Sequence, residues 1–197
     1  MKLNHVLAVG LGCVAVGASA QELPSRVGLG VGLVLPQGDI QSKVGQGLAL
    51  SLSVHFNREA THEGRLRIEE SSMGEKTENQ TVSYGYPSTA TQRVNRTAHA
   101  LSVGYDWMPG NEHVRAILGL GGMFWYQEAK ITDPGGYSYR QDAAGFAMVP
   151  TLGVQVRFNR HVGMEARYVL AKNDVASDKT SLETQMNHLV FGLEFRF

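Results

Sequence analysis

The sequence predicts an all-β fold, an eight-stranded antiparallel up-and-down barrel, from three observations. From residue 26 onward almost every segment alternates apolar and polar side chains with period two. The connections between those segments alternate between long and short. The last segment, HLVFGLEFRF, alternates to the very end and stops on Phe197. Period-two alternation marks a half-buried strand, because successive side chains leave opposite faces of the sheet.

Eight segments carry the pattern in order. Residues 26–35 set Val27, Leu29, Val31, Leu33 and Leu35 against Gly28, Gly30 and Gly32. Residues 46–56 set Leu48, Leu50, Leu52, Val54 and Phe56 against Ala49, Ser51, Ser53 and His55. The weakest, 64–71, offers only Leu66 and Ile68 opposite Arg65, Arg67 and Glu69. Residues 99–107 place His99, Leu101, Val103, Tyr105 and Trp107 opposite Ala100, Ser102, Gly104 and Asp106.

The second half repeats the scheme. Residues 113–126 set Val114, Ala116, Leu118, Leu120, Gly122, Phe124 and Tyr126 against Arg115, Ile117, Gly119, Gly121, Met123 and Trp125. In 145–158, Phe146, Met148, Leu152, Val154, Val156 and Phe158 oppose Gly153, Gln155 and Arg157. Pro150 lacks a ladder donor there and predicts a bulge. Residues 161–171 set Val162, Met164, Ala166, Tyr168 and Leu170 against Gly163, Glu165, Arg167 and Val169. In the last segment Leu189, Phe191, Leu193, Phe195 and Phe197 oppose His188, Val190, Gly192, Glu194 and Arg196. Long polar links occupy 36–45, 73–95, 127–143 and 172–184, and short turns occupy 57–63, 108–112 and 159–161. An even-stranded meander with long loops at one end and short turns at the other is the layout of a transmembrane barrel with extracellular loops and periplasmic turns.

A soluble ligand-binding barrel would show the same alternation turned inside out. Three features place the apolar face outside, against lipid. The polar face is rich in glycine, which weakens a solvent-facing strand but suits a narrow lumen crowded by large side chains. The aromatics sort by depth: Phe56, Trp107, Phe158, Phe195 and Phe197 fall at the short-turn end, and Phe124, Tyr126, Phe146 and Tyr168 at the long-loop end. Two such girdles are expected at the two bilayer interfaces. Finally, Asp106, Arg115, Arg157, Glu165, Arg167, Glu194 and Arg196 lie on the polar face, mostly near the short turns, with both signs present. They are expected to pair as a lumenal charge network that plugs the barrel.

Composition bounds the rest. At 197 residues the chain suits one domain, and a mean hydropathy of −0.17 with no long apolar run after the N-terminus excludes a helical membrane protein. Residues 1–20 read as a secretory signal peptide: Lys2, an apolar stretch from Val6 to Val16, then Ala18-Ser19-Ala20, with cleavage expected before Gln21. The barrel domain is then 21–197. Gly10 stands where a lipoprotein signal carries Leu before its cysteine, which argues against lipidation of Cys13. Cleavage would leave no cysteine for disulfide or thiol chemistry. Formal charge is +0 with no basic tract, so nucleic acid is not an expected partner.

At this point the chain resembles the small eight-stranded outer-membrane β-barrels of the OmpX, Ail and OmpA-barrel kind, from Arg26 to Phe197. The most specific element is the ending VFGLEFRF, similar to the assembly signal read by the outer-membrane insertion machinery, with Phe191, Leu193, Phe195 and Phe197 as its outward residues. The resemblance implies the Gram-negative outer membrane as location, membrane lipids and lipopolysaccharide as neighbours, and envelope structure or adhesin-like surface interaction as role.

The residues themselves favour a non-enzymatic protein without cofactor. Relatives of this architecture that hydrolyse lipid carry His-x-Ser on the outward face, whereas this chain reads His99-Ala100-Leu101 with no evident acidic partner. His55, His62, His113 and His161 share the short-turn end but lack ligand spacing, so no metal is expected. The loop at 73–95 is the candidate interaction surface through Tyr84, Tyr86 and Arg93, since exposed Tyr among Ser, Thr and Asn suits adaptable recognition of a host or cell-surface partner. The alternative is OmpW-like uptake of small hydrophobic molecules, with Ile117, Met123, Trp125 and Val169 lining an apolar upper lumen.

Overall fold

In the computed structural model, which describes residues 26–56, 61–83, 89–171 and 186–197, eight antiparallel strands close into one barrel. They are β1 (Arg26–Pro36), β2 (Gly47–Phe56), β3 (His62–Ser83), β4 (Thr89–Pro109), β5 (Val114–Thr132), β6 (Ser138–Arg157), β7 (Val162–Val169) and β8 (His188–Arg196). Each pairs with its sequence neighbours, and β8 closes on β1 through Gly28↔Arg196 to Pro36↔His188. The segment expected to be a leader lies outside the described residues, as do Tyr84 and Tyr86.

The alternation sets the two faces as expected. Val27, Leu29, Val31 and Leu33 stand outward at 41–48% exposure, while the inward Val34 and Ala49 are buried. The same holds on β5, where Leu118, Leu120 and Phe124 are exposed and Arg115, Ile117, Met123 and Trp125 are buried. Outward Phe56 stacks on Tyr105 with ring centroids 5.8 Å apart, at the short-turn end.

Closure carries a shear. Following the register from Val31 through Leu50, Glu70, Leu101 and Phe124 reaches Phe146. Going the other way, through Leu193 and Met164, reaches Val156, ten residues further along β6. A row of paired residues therefore climbs toward the long-loop end from β1 to β6, as strand tilt in a closed barrel requires.

Strand lengths depart from the sequence expectation. The weakest segment belongs to the longest strand, β3 with 22 residues, and β4, β5 and β6 run to 21, 19 and 20. Much of the links at 73–95 and 127–143 is strand rather than loop, and the second link narrows to a tight turn around Asp133–Tyr137, closed by Asp133 N–H to Tyr137 O at 2.9 Å. Both segments are mostly polar, and only Val94, Ala129 and Ile131 with Ala143 form a small apolar patch, so their period-two signal is weak. By contrast β1, β2, β7 and β8 have 8–11 residues. Pairing of β2 with β3 ends at Gly47↔Met73, and pairing of β6 with β7 ends at Thr151↔Val169. Beyond those points β3–β6 continue as a four-stranded sheet that projects roughly 20 Å past the closed ring.

Pro150 does not mark a bulge. It sits in regular register with Leu120, and its carbonyl accepts from Leu170 N–H at 3.0 Å, where the β7 ladder stops. A missing donor is tolerated at a ladder end. The register shift lies instead in β3, between Met73 and Lys76, where the strand leaves the ring.

The upper lumen is apolar. Met73, Ala98, Ala100, Met123, Trp125, Val149, Val169 and Met186 pack there, capped by Ile40 and Val44 from the link after β1. That link is partly a 3-10 turn, Gly38–Ser42. Trp125 fits because its register partner is Gly145: a Cβ there would stand 2.6 Å from the indole. Replacing Gly145 with Leu is expected to destabilise the barrel by about 1–3 kcal/mol, the usual range for overpacking. Trp107 and Trp125 are the two tryptophans, so a Trp107→Phe background isolates Trp125, whose emission should shift to the red as its indole is pushed out.

Candidate functional site: a charged lumen beneath a projecting sheet

Below the apolar layer the lumen is filled by buried charge. Arginines 65, 67, 115, 157, 167 and 196 face Glu63, Glu69, Asp106, Glu165 and Glu194, all 5% exposed or less. Alternation brings them together: each is at an inward position, and six strands converge on a space a few side chains wide. An ion pair there must replace lost hydration with hydrogen bonds.

Glu194 is one hub. It accepts from Ser53 Oγ at 2.8 Å, Gln155 Nε2 at 2.8 Å, Arg196 Nη2 at 2.7 Å and Arg65 Nη1 at 3.3 Å, and lies 2.9 Å from His55 Nε2. Glu63 is the second, accepting from Arg157 and from Arg196 Nη1 at 3.3 Å, with Arg115 at 3.8 Å. Asp106 receives Arg65 Nε at 2.9 Å and Arg67 Nε at 3.1 Å. Glu165 receives Arg65 at 2.6 Å and Arg167 at 2.7 Å, and Arg167 also binds Glu69. Arg115 donates to the Met108 carbonyl at 3.2 Å. Space is matched as tightly as charge: a Cβ on Gly119 would meet Asp106 Oδ1 at 2.2 Å.

All seven charged residues singled out from the sequence thus lie in one lumenal layer. Sequence reasoning left out Ser53, His55, Glu63, Arg65, Arg67, Glu69 and Gln155. The signal for Arg65, Arg67 and Glu69 was present, since they alternate with Leu66 and Ile68. Glu63 falls in the stretch that the spacing predicts as a short turn, and His55 lies on the polar face of a segment with no other charge. Among the described residues no group of three metal-binding side chains assembles.

The layer also contains a hydrolase-like geometry. Ser53 Oγ lies 3.0 Å from His55 Nε2, and His55 Nδ1 lies 2.5 Å from Glu63 Oε1. Nucleophile, base and orienting carboxylate stand in that order in serine hydrolases. Here, however, Glu194 holds both Ser53 and His55, placing an anion where an acyl group would have to sit. Ser53 and His55 are each 2% exposed, with no room for a substrate. A cavity lined by Arg67, Gly104, Gly121, Thr151 and Val169 has a volume of about 10 Å3, space for roughly one water. In this layer the described side chains are buried against one another.

The other sequence-derived residues lie apart from this layer. Phe191, Leu193, Phe195 and Phe197 point outward at 46%, 41%, 40% and 73% exposure, and Phe197 N–H donates to Val27 O at 3.0 Å, so the terminal residue is tied to β1. Arg93 is exposed on the outward face of the projecting sheet, near Lys130 and Arg140, which are register partners. Arg140 also contacts Glu128 at 3.4 Å.

A family model described as outer membrane protein beta-barrel domain matches residues 6–197. The chain belongs to that family. It is therefore an outer-membrane β-barrel protein. Ail of Yersinia pestis, solved with the heparin analogue sucrose octasulfate, superposes with a TM-score of 0.57 at 16% identity over 88% of this chain and 99% of Ail. Another Ail structure gives 0.55 at 15% identity over 90% and 100%. A major outer membrane protein from Thermus thermophilus gives 0.53 at 12% identity over 88% and 100%. No curated protein matches the sequence.

The barrel's network makes a clear energetic demand. Glu194→Ala leaves Arg65, Arg196 and His55 facing one another in a sealed space, and breaking such a buried pair costs about 3–5 kcal/mol. Urea unfolding in lipid vesicles is expected to show that loss, and Glu194→Gln to recover part of it by keeping the hydrogen bonds.

Proposed function

We propose that this barrel is a non-enzymatic surface protein, exported with cleavage before Gln21, whose plugged lumen rigidly supports the projecting sheet as an interaction surface. The observation that carries the reading is the length of β3–β6. Nothing in spanning a bilayer requires those residues, because β1, β2, β7 and β8 cross with 8–11. Binding residues concentrate on segments held above a rigid scaffold.

The chemistry of the sheet favours an anionic partner. Its outward face carries Arg93, Lys130 and Arg140 at adjoining register positions, above the acidic pair Glu128 and Asp142, and Tyr137 and Tyr139 are exposed at the β5–β6 tip. Tyr84 and Tyr86, between β3 and β4 in the sequence, lie outside the described residues. Ail, a structural neighbour, was solved with a sulfated heparin analogue. A sulfated glycan on a host surface is the partner this suggests, and the phosphates of neighbouring lipopolysaccharide offer the same chemistry closer to the membrane. Uptake of small hydrophobic molecules is not favoured, since Trp125 and the methionines already fill the upper lumen.

The C-terminal strand supports a second, assembly role. Its outward Phe191, Leu193, Phe195 and Phe197 would be the address read by the outer-membrane insertion machinery. Phe197→Ala is expected to lower the folded outer-membrane fraction several-fold, measured as the band that migrates faster in SDS before heating. An unchanged fraction would remove the terminal Phe from that role.

Replacing residues 76–95 with an Asn-Gly turn tests the main reading. The substitution leaves the Met73↔Ala98 rung and everything below it in place. Binding to heparin-coated surfaces is expected to fall at least tenfold while the heat-dependent gel shift persists. Equal binding by the shortened barrel would refute the proposal.

A further inference from the structure

The lipid-facing wall is apolar with one interruption. Apart from His62 at the short-turn end, the outward residues of the described strands up to Tyr126 and Tyr168 are apolar, except Glu70, Ser72 and His99. These three are neighbours. Ser72 is the register partner of His99, and Glu70 lies one outward position below Ser72 on β3. All three are half-buried. The buried Nδ1 of His99 has no hydrogen-bond partner, and no hydrogen bond or ion pair to Glu70 forms among the described residues.

Depth narrows what they meet. Glu70 shares a register row with Leu50, Leu101, Phe124 and Phe146. Because rows climb toward the long-loop end from β1 to β6, β3 lies lower on that row than β5 or β6. Glu70 is therefore beneath the aromatic girdle of Phe124, Tyr126 and Phe146, on the outer-leaflet side. An ionisable side chain at that position is costly in hydrocarbon and marks a specific contact.

We propose that Glu70, Ser72 and His99 form a lateral recognition site for an outer-leaflet glycolipid whose acyl chains are amide-linked to an amino sugar and bear hydroxyl groups, the chemistry of lipid A. The depth selects this class. A carboxyl group needs hydrogen-bond donors to replace water, and the donors must lie where acyl chains join the headgroup. Phospholipid acyl linkages are esters, which have none, and the ammonium of phosphatidylethanolamine sits outside the phosphate. Amide N–H and acyl hydroxyl groups lie at the level of Glu70. Ser72 and His99 add a hydroxyl and an imidazole just above it, at the interface.

This site deepens the lipid contact within the proposed function and rests on the outer-membrane placement, not on the projecting sheet. Removing residues 76–95 leaves it intact, so failure of one idea does not touch the other.

The experiment compares wild type with Glu70→Leu, and with Ser72→Ala/His99→Leu as a second variant should the first fail to insert. Barrels purified from outer membranes in mild detergent are assayed by mass spectrometry for retained lipid A and phospholipid. Their heat-unfolding midpoint is then read in phosphatidylcholine bilayers alone, with added lipid A, or with added phosphatidylethanolamine. The wild type is expected to retain lipid A at least tenfold above either variant, and only lipid A should raise its midpoint. In phosphatidylcholine alone, Glu70→Leu should be the more stable protein, because a lipid-facing carboxyl without donors has been removed. Equal lipid A retention would overturn the proposal, as would an equal rise with phosphatidylethanolamine or a variant that still responds to lipid A.

Discussion

Hydrocarbon supplies no hydrogen bonds, so every N–H and C=O that crosses the bilayer must be paired by another strand. For a sheet that demand has one solution, closure without an edge, and β8 on β1 supplies it. The rest of the molecule follows from closing with only eight strands. The ring is too narrow for a water channel but too wide to leave empty, so its inward residues must fill it. A short period-two alternation then decides two opposite surroundings at once, lipid for one face and a packed lumen for the other.

The two layers of the lumen meet the filling requirement differently. Near the long loops, Trp125, three methionines and small aliphatics pack as an ordinary core, and Gly145 gives the indole its space. Near the short turns, arginines and carboxylates fill the volume instead, and they are workable because each carboxylate receives several donors. Such networks confer geometric uniqueness more readily than net stability. Here they link six strands by contacts far apart in sequence.

Closure is also what β3–β6 escape. Above the girdle of Phe124, Tyr126 and Phe146 the sheet has left hydrocarbon, water satisfies its backbone, and the ring no longer needs to be complete. The bulge between Met73 and Lys76 falls at this transition. An outer wall that turns polar at Glu70, Ser72 and His99 shortly below the same level makes the upper rim the chemically distinctive part of the barrel.

The eight strands, their inward and outward faces, the two aromatic girdles and the inward position of every lumenal charge but Glu63 were legible by themselves, because a period of two depends only on neighbours along the chain. The lengths of β3 and β6 were not, because strands that project into water need only a small apolar patch, here Val94, Ala129 and Ile131, and are otherwise polar on both faces. Nor were the partners. That Glu194 gathers Ser53, His55, Arg65, Gln155 and Arg196, that Ile40 caps the lumen, and that Ser72 stands beside His99 all depend on register and shear. Those are set by closure of the whole ring, and no local pattern encodes them.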